Sequence, residues 1–269
     1  MVDKTKPACP GDFGGGLSSW LAETPGSVLV ERESRCVEEL LSDMFGYYLL
    51  QVGWSREFGA AVANSPIRYS LALEPQFPGM GRGNTVIGED RAFPVATDSV
   101  DAVFLPHTLD FAADPHQVLR EAERVLIPEG RVVLLGFNPW SSWGAWRMLL
   151  RRSGRVPWCG AFLRARRVTD WLSLLGFDIE MQRPVMFLPP VRRAAILSQM
   201  EMLEPLGQRW LPMLSGAYAI RAVKRVSTLT PLEPRWKTRS RVLPGQAVEP
   251  TARGQTRGVG ALGASEHAR

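Results

Sequence analysis

DSVDAVFLPHTLDFAADPHQVLREAERVLIPEGRVVLLGF, residues 98–137, is the stretch that decides the fold. Residues 100–105 form a short apolar run, and residues 131–137 form another that is rich in β-branched side chains. Apolar runs bounded by turn residues suit the inner strands of a parallel sheet covered on both faces. Between them Asp114 precedes Pro115, an N-cap followed by proline at the first helical position. Val118, Leu119, Ala122, Val125 and Leu126 recur at helical spacing, and Pro128 and Gly130 stop the helix and turn the chain. The pattern predicts a β-α-β unit with a right-handed crossover.

The alternation continues outward. Upstream, a helix with the stripe Val30, Val37, Leu40, Leu41 and Met44 opens near Ser27 and stops at Gly46. Strands are expected at residues 47–52 (YYLLQV), 69–73 and 85–87, with a Gly- and Pro-rich loop at 76–84. Downstream, a helix is expected over 140–152, then a basic loop carrying Arg155, Arg164, Arg166 and Arg167. A short helix at 169–175, a strand at 177–182, a helix at about 191–206 and a strand at 217–223 complete the series. This is an α/β chain, and its natural packing is a Rossmann-like, doubly wound, mostly parallel seven-stranded sheet.

Residues 1–19, rich in Pro and Gly, read as a disordered segment, and residues 20–226 as one domain. Residues 227–269, with scattered arginines, prolines and glycines, read as a disordered basic tail. With 45% of 269 residues hydrophobic, the chain can bury one sizeable core. Net charge is +5 and pI is near 9.4, with much of the excess in the C-terminal third. Cys9, Cys36 and Cys159 are far apart and odd in number, which suggests neither a disulfide framework nor a zinc site. A reducing cytoplasm is the simplest home for such a chain. The first residues lack the apolar core of a signal peptide, and no apolar run is long enough to span a bilayer.

The central stretch resembles the second half of class I S-adenosyl-L-methionine (SAM) dependent methyltransferases of the type 11 kind. The resemblance rests on Asp101-Ala-Val-Phe, Asp114-Pro115, Arg124-Val125-Leu126, Pro128 and Gly130, and extends from about Tyr47 to about Lys224. It implies the seven-stranded fold, SAM as cofactor, a methyl acceptor that the sequence does not identify, and no metal. It also implies a cofactor site on the rim of the sheet, made by Gln51, Gly53 and Trp54, by Glu74, by Glu89 and Asp90, and by Leu105 at the end of the fourth strand. In the family an acid and three glycines form the first of these loops. Here Gln51, Gly53, Ser55 and Glu57 stand at those four positions, so one of the four matches. Glu57 would lie near the carboxylate of the ligand and oppose the attraction of a helix N-terminus for that anion. Glu74 stands where the family's acid accepts from the ribose hydroxyls. Glu89, or Asp90 beside it, stands where an acid faces the adenine amino group.

His107, in the loop beside the transferred methyl in the family, is a candidate general base because imidazole titrates near neutrality; Asp110 is a second candidate. Asn138-Pro139-Trp140 follows the fifth strand, whereas the Asn-Pro-Pro motif of amino-group methyltransferases follows the fourth, so that chemistry does not carry over. Trp140, Trp143, Trp146 and Leu150 with Arg147, Arg151 and Arg152 suit a substrate lid, plain core, or a helix lying on a membrane surface. The basic tail would also suit nucleic-acid phosphates. Three functions stay open: a SAM-dependent methyltransferase, a methyltransferase-like binding or scaffold protein that has lost catalysis, and, with less support, a nucleic-acid-associated protein using the basic tail.

Overall fold

Strands and helices alternate along the chain in a computed structural model that describes residues 13–75, 84–191 and 212–225. In chain order the first elements are α1 (Phe13–Ala22), α2 (Gly26–Leu41), β1 (Tyr48–Val52), α3 (Ser55–Ala63), β2 (Tyr69–Glu74), β3 (Thr85–Ile87) and β4 (Val100–Pro106). They are followed by α4 (Thr108–Phe111), α5 (Pro115–Val125), β5 (Leu126–Phe137), α6 (Ser142–Leu150), α7 (Ala165–Leu174), β6 (Phe177–Met186) and β7 (Ala217–Lys224). The sheet order is β3-β2-β1-β4-β5-β7-β6. Pairing is parallel from β3 through β5, and β7 is antiparallel to both β5 and β6. This is the Rossmann-like, doubly wound sheet that the alternation predicts.

The pleat sends successive side chains to opposite faces, and each face has its own core. In β4, Ala102 and Phe104 pack with Leu29, Val37 and Leu41 of α2 and Phe58 of α3. Val103 and Leu105 pack on the other face with Val118, Leu119 and Val125 of α5 and Val168 and Leu172 of α7. Strands buried on both faces need continuous apolar runs, which is why residues 100–105 and 132–137 read as they do.

The polar residues of the central stretch place its ends. The Asp114 side chain accepts from the backbone N–H groups of His116 (3.1 Å) and Gln117 (3.2 Å), with Pro115 in the first turn. Lys224 donates to the carbonyls of Glu123 and Leu126, both at 2.8 Å, so a cation from β7 caps the negative end of α5. Asp101 accepts from the N–H groups of Tyr47 and Tyr48, both at 2.8 Å, and pins the start of β1 to β4. Glu121 and Arg124 shape the segment after β3: Glu121 accepts from Phe93 N–H (2.9 Å), and Arg124 donates to the carbonyls of Phe93 and Val95 (2.9 Å each).

The structure departs from the sequence expectations at several points. Helix α1 begins at Phe13, inside the segment read as disordered, because Leu17 and Leu21 bury one face and Trp20 meets Trp143 and Trp158 edge-on at 5.9 and 6.4 Å. Helix α3 was not anticipated, although Phe58, Ala61 and Val62 lie at helical spacing and are buried. Strand β5 starts at Leu126 rather than 131, and Pro128 and Gly130 fit inside it because the β4–β5 register shifts between Val100 and Ala102. Helix α7 starts at Ala165 rather than 169. Cys36 is a free thiol while Cys159 is disulfide-bonded, a bond that the cysteine spacing does not suggest. The expected helix at 191–206 (save Val191), the loop at 76–83, residues 1–12 and the basic tail past Arg225 lie outside the described residues. Among the described residues no helix is long and apolar enough to cross a membrane.

Candidate functional site

In an open α/β sheet, ligands bind beyond the carboxyl ends of the strands, where the strand order reverses. Here that switch point lies between β1 and β4. On leaving β1 the chain turns through two left-handed residues, Gly53 (φ 78°) and Trp54 (φ 59°), and enters α3. Gly53 N–H donates to Leu73 O at 2.8 Å, which ties the turn to β2. A Cβ on Gly53 would meet no atom within 4 Å, so the backbone there faces open space. The buried Gln51 amide donates to Gly53 O (3.1 Å) and Trp54 O (2.9 Å). An ionised carboxylate at position 51 has no donor and would repel both carbonyls, so this turn requires the amide. Thr108 closes the crevice from the other side by donating to Val52 O at 2.8 Å.

On the outer side of β1, Glu74 ends β2 in register with Ile87, and Gly88 N–H donates to Glu74 O at 3.0 Å. Glu74 is half-buried and Glu89 is exposed. Burial pushes the half-buried Asp90 carboxyl up from its ordinary value, against the pull of Arg91 and a backbone hydrogen bond. The three acids therefore end neighbouring strands on one side of the switch point.

The other side is sealed. His107 is buried in a left-handed conformation (φ 51°) at the start of α4, stacked on Phe137 at 4.1 Å, with Trp54 tilted over it at 5.4 Å. Its Nε2 lies 2.9 and 3.1 Å from the oxygens of the buried Glu33, on α2, and its Nδ1 lies 3.2 Å from Asp110 Oδ2. Each ring nitrogen thus faces a carboxylate, and in the imidazolium form both donate. Burial alone would lower the His107 pKa, but the charge of Glu33 and the hydrogen bonds to both carboxylates outweigh it and raise it to about 9. Asp110 Oδ2 also accepts from Phe137 N–H (2.9 Å), and Asp110 O accepts from Ala161 N–H (2.6 Å). Burial pushes the Asp110 carboxyl up, opposed by His107 and by the backbone N–H groups of Phe137 and Leu163. The trio thus joins α2, α4, β5 and the loop before α7.

The structure gathers Gln51, Gly53, Trp54, His107 and Asp110 around the switch point and Glu74, Glu89 and Asp90 beside it. His107 and Asp110 are buried and bonded to each other, to Glu33 and to the backbone, a geometry that ties elements together rather than reaching out to the rim. Leu105 is fully buried in the layer of α5 and α7, so its side chain belongs to the core and not to a ligand site. Glu33 was missed. It lies on the apolar stripe of its helix, three residues after Val30 and four before Val37, and a charge on a buried stripe signals a buried partner. Among the described residues no cluster of His, Cys, Asp and Glu could hold a metal.

A family model described as "Methyltransferase domain" matches residues 70–134. That match runs from β2 into β5 and begins beyond the Gln51–Glu57 turn. A curated Escherichia coli K12 relative, "Uncharacterized protein YafS", is 34% identical over 137 residues, covering 51% of this chain and 55% of its own length. The chain thus spans about half the length of the curated relative it matches. Among solved structures, one chain of the complex between the Haloferax volcanii Trm112 methyltransferase activator and a methyltransferase aligns over 77% of this chain and 97% of its own, at 15% identity and TM-score 0.56. A Thermotoga maritima SAM-dependent methyltransferase, described as a possible histamine N-methyltransferase, aligns over 73% and 89% at 19% identity and TM-score 0.55. The chain has the fold of class I SAM-dependent methyltransferases.

Proposed function

We propose that the chain binds SAM along this rim and transfers its methyl group to an acceptor. The observation that most supports this is the corner between β1 and β2. There the left-handed turn at Gly53 faces open space and is bonded to Leu73, the residue before Glu74. A ribose diol placed there would donate both hydroxyls to Glu74, an acceptor with several lone pairs. Glu89, or Asp90, one strand further out, would take the adenine amino group. The ring of Trp54 would cover the ligand on the β4 side. SAM supplies an activated sulfonium methyl, so the protein has only to align the acceptor with it and exclude water. The buried trio around His107 fixes the β4 and β5 ends without moving a proton.

A second reading, a methyltransferase-like binding protein without catalysis, is favoured by Gln51, Ser55 and Glu57 standing where the family keeps an acid and two glycines. Calorimetric titration with SAM and with S-adenosylhomocysteine separates the two at the first step. The enzyme reading expects binding of both, weakened about tenfold or more by Glu74→Gln, since a hydrogen bond to a charged group is worth roughly 1.5–3 kcal/mol. No heat from either ligand at millimolar concentration would leave the binding-protein reading standing alone.

A further inference from the structure

Helix α6 is apolar on both faces. Its inner face carries the fully buried Trp143, whose Nε1 donates to Leu188 O at 2.8 Å. Its outer face carries Trp146, Met148 and Leu149, which are 40%, 74% and 74% exposed. Trp140, just ahead of the helix, is 62% exposed. Met213 and Leu214 join the same edge, because Asn138, between β5 and α6, donates through Nδ2 to Met213 O at 2.7 Å; Met213 is 82% exposed. A helix of a soluble domain ordinarily shows water a polar outer face, and exposed apolar side chains gathered in one place mark an interaction surface.

The charge around this patch has one sign. Residues 130–169 contain eight arginines and no Lys, Asp or Glu, so the basic rim is not neutralised along its own stretch. Arg151, Arg152 and Arg155, at and just past the end of α6, are exposed and make no ion pair among the described residues. Arg164 lies over the Trp140 ring at 4.6 Å. We infer that this face docks on an anionic lipid surface. Acyl chains would receive Met148, Leu149 and Met213, the interfacial layer would receive the rings of Trp140 and Trp146, and the arginines would meet the headgroup phosphates. Nucleic acid shares the phosphates but offers nothing to exposed aliphatic and thioether side chains, so the lipid surface fits the whole patch. The inference stands on α6 and its rim, and does not depend on methyl transfer.

Flotation of the full chain with vesicles of phosphatidylcholine alone, or mixed equally with phosphatidylglycerol, tests it. Binding is expected on the anionic vesicles, weakening with added salt, and little on the neutral ones. Arg151→Glu with Arg152→Glu should weaken it at least about 25-fold, since each arginine near the surface contributes roughly fivefold. Met148→Ser with Leu149→Ser should weaken it without changing the salt dependence. Both pairs are exposed, and an unchanged thermal midpoint would verify folding. The inference is overturned if anionic vesicles do not bind, if the patch variants bind like the parent (which would assign binding to the basic tail), or if single-stranded RNA binds through these residues while vesicles do not.

Discussion

On the β2–β3 side of the rim, Glu74, Glu89 and Asp90 stand exposed or half-buried at the strand ends, where a ligand can reach them. On the β4–β5 side, Glu33, His107 and Asp110 are sealed inside, and each ring nitrogen of His107 faces a carboxylate. Both sides carry acids. What separates them is burial: the acids of the sealed side are bonded to an imidazole inside the protein, while those at the strand ends lie at least partly at the surface. Under the proposed function the sealed side does structural work and the open side recognition, and each assignment can be broken separately.

The largest effect is expected on the sealed side. His107→Ala removes the cation and leaves two buried carboxylates facing each other, which should cost about 3–5 kcal/mol of unfolding free energy in denaturant titration. A loss under about 1 kcal/mol would mean that the trio is not the tie it appears in the geometry. The pH profile sharpens the same point. The folded-state pKa of His107, about 9, is above its ordinary value of 6.5, so its stabilisation is complete below pH 6.5 and is lost as pH rises through 9. A shift of that size is worth about 3 kcal/mol. Cys36, whose thiol burial pushes up to about 11, adds a loss of its own only above pH 9, so the informative window is 6.5 to 9. His107→Gln should flatten the profile in that window.

A smaller effect is expected where the two sides meet. Gln51→Glu restores the acid that the resemblance implies, yet it replaces a donor by an acceptor beside two carbonyls. It should lower stability by about 1–3 kcal/mol. If Gln51→Glu is neutral for folding and strengthens SAM binding, the turn opens to admit the family's usual geometry, and the two sides are less separate than they look.

The fold was legible in residues 98–137 because doubly buried strands and a capped helix each leave a local signature: apolar runs, Asp114-Pro115 and helical spacing. The acids at the ends of β2 and β3 were legible by position alone. The trio was not, because Glu33 and His107 are 74 residues apart and only the packing of α2 against β4 brings them together. The reading of His107 as a base followed from its place in the loop, and the carboxylates that face both of its ring nitrogens come from packing that the sequence does not print. Leu105 failed for a related reason, since the strand end is at the rim while its side chain points into the core. The short helix after the Gly53 turn offers only Phe58, Ala61 and Val62 as an apolar stripe, too few positions to mark a helical period in the sequence.

The smallest effect separates recognition from scaffold within a single residue. Glu57 lies in the first turn of α3, where a negative charge complements the helix dipole and is worth about 0.3–1 kcal/mol. In the proposed binding mode the carboxylate of SAM would project toward the same N-terminus, where Glu57 would repel it. Glu57→Gln should therefore act in two directions: it should lower unfolding free energy by about 0.3–1 kcal/mol and tighten SAM binding by roughly two- to fivefold. The gain in binding should shrink with added salt, because the residue is only half-buried. Adenosine, which has no carboxylate, provides the control and should bind the parent and the variant alike. If adenosine gains as much as SAM, the charge at position 57 does not face the amino-acid end of the ligand, and the ligand lies elsewhere on the rim.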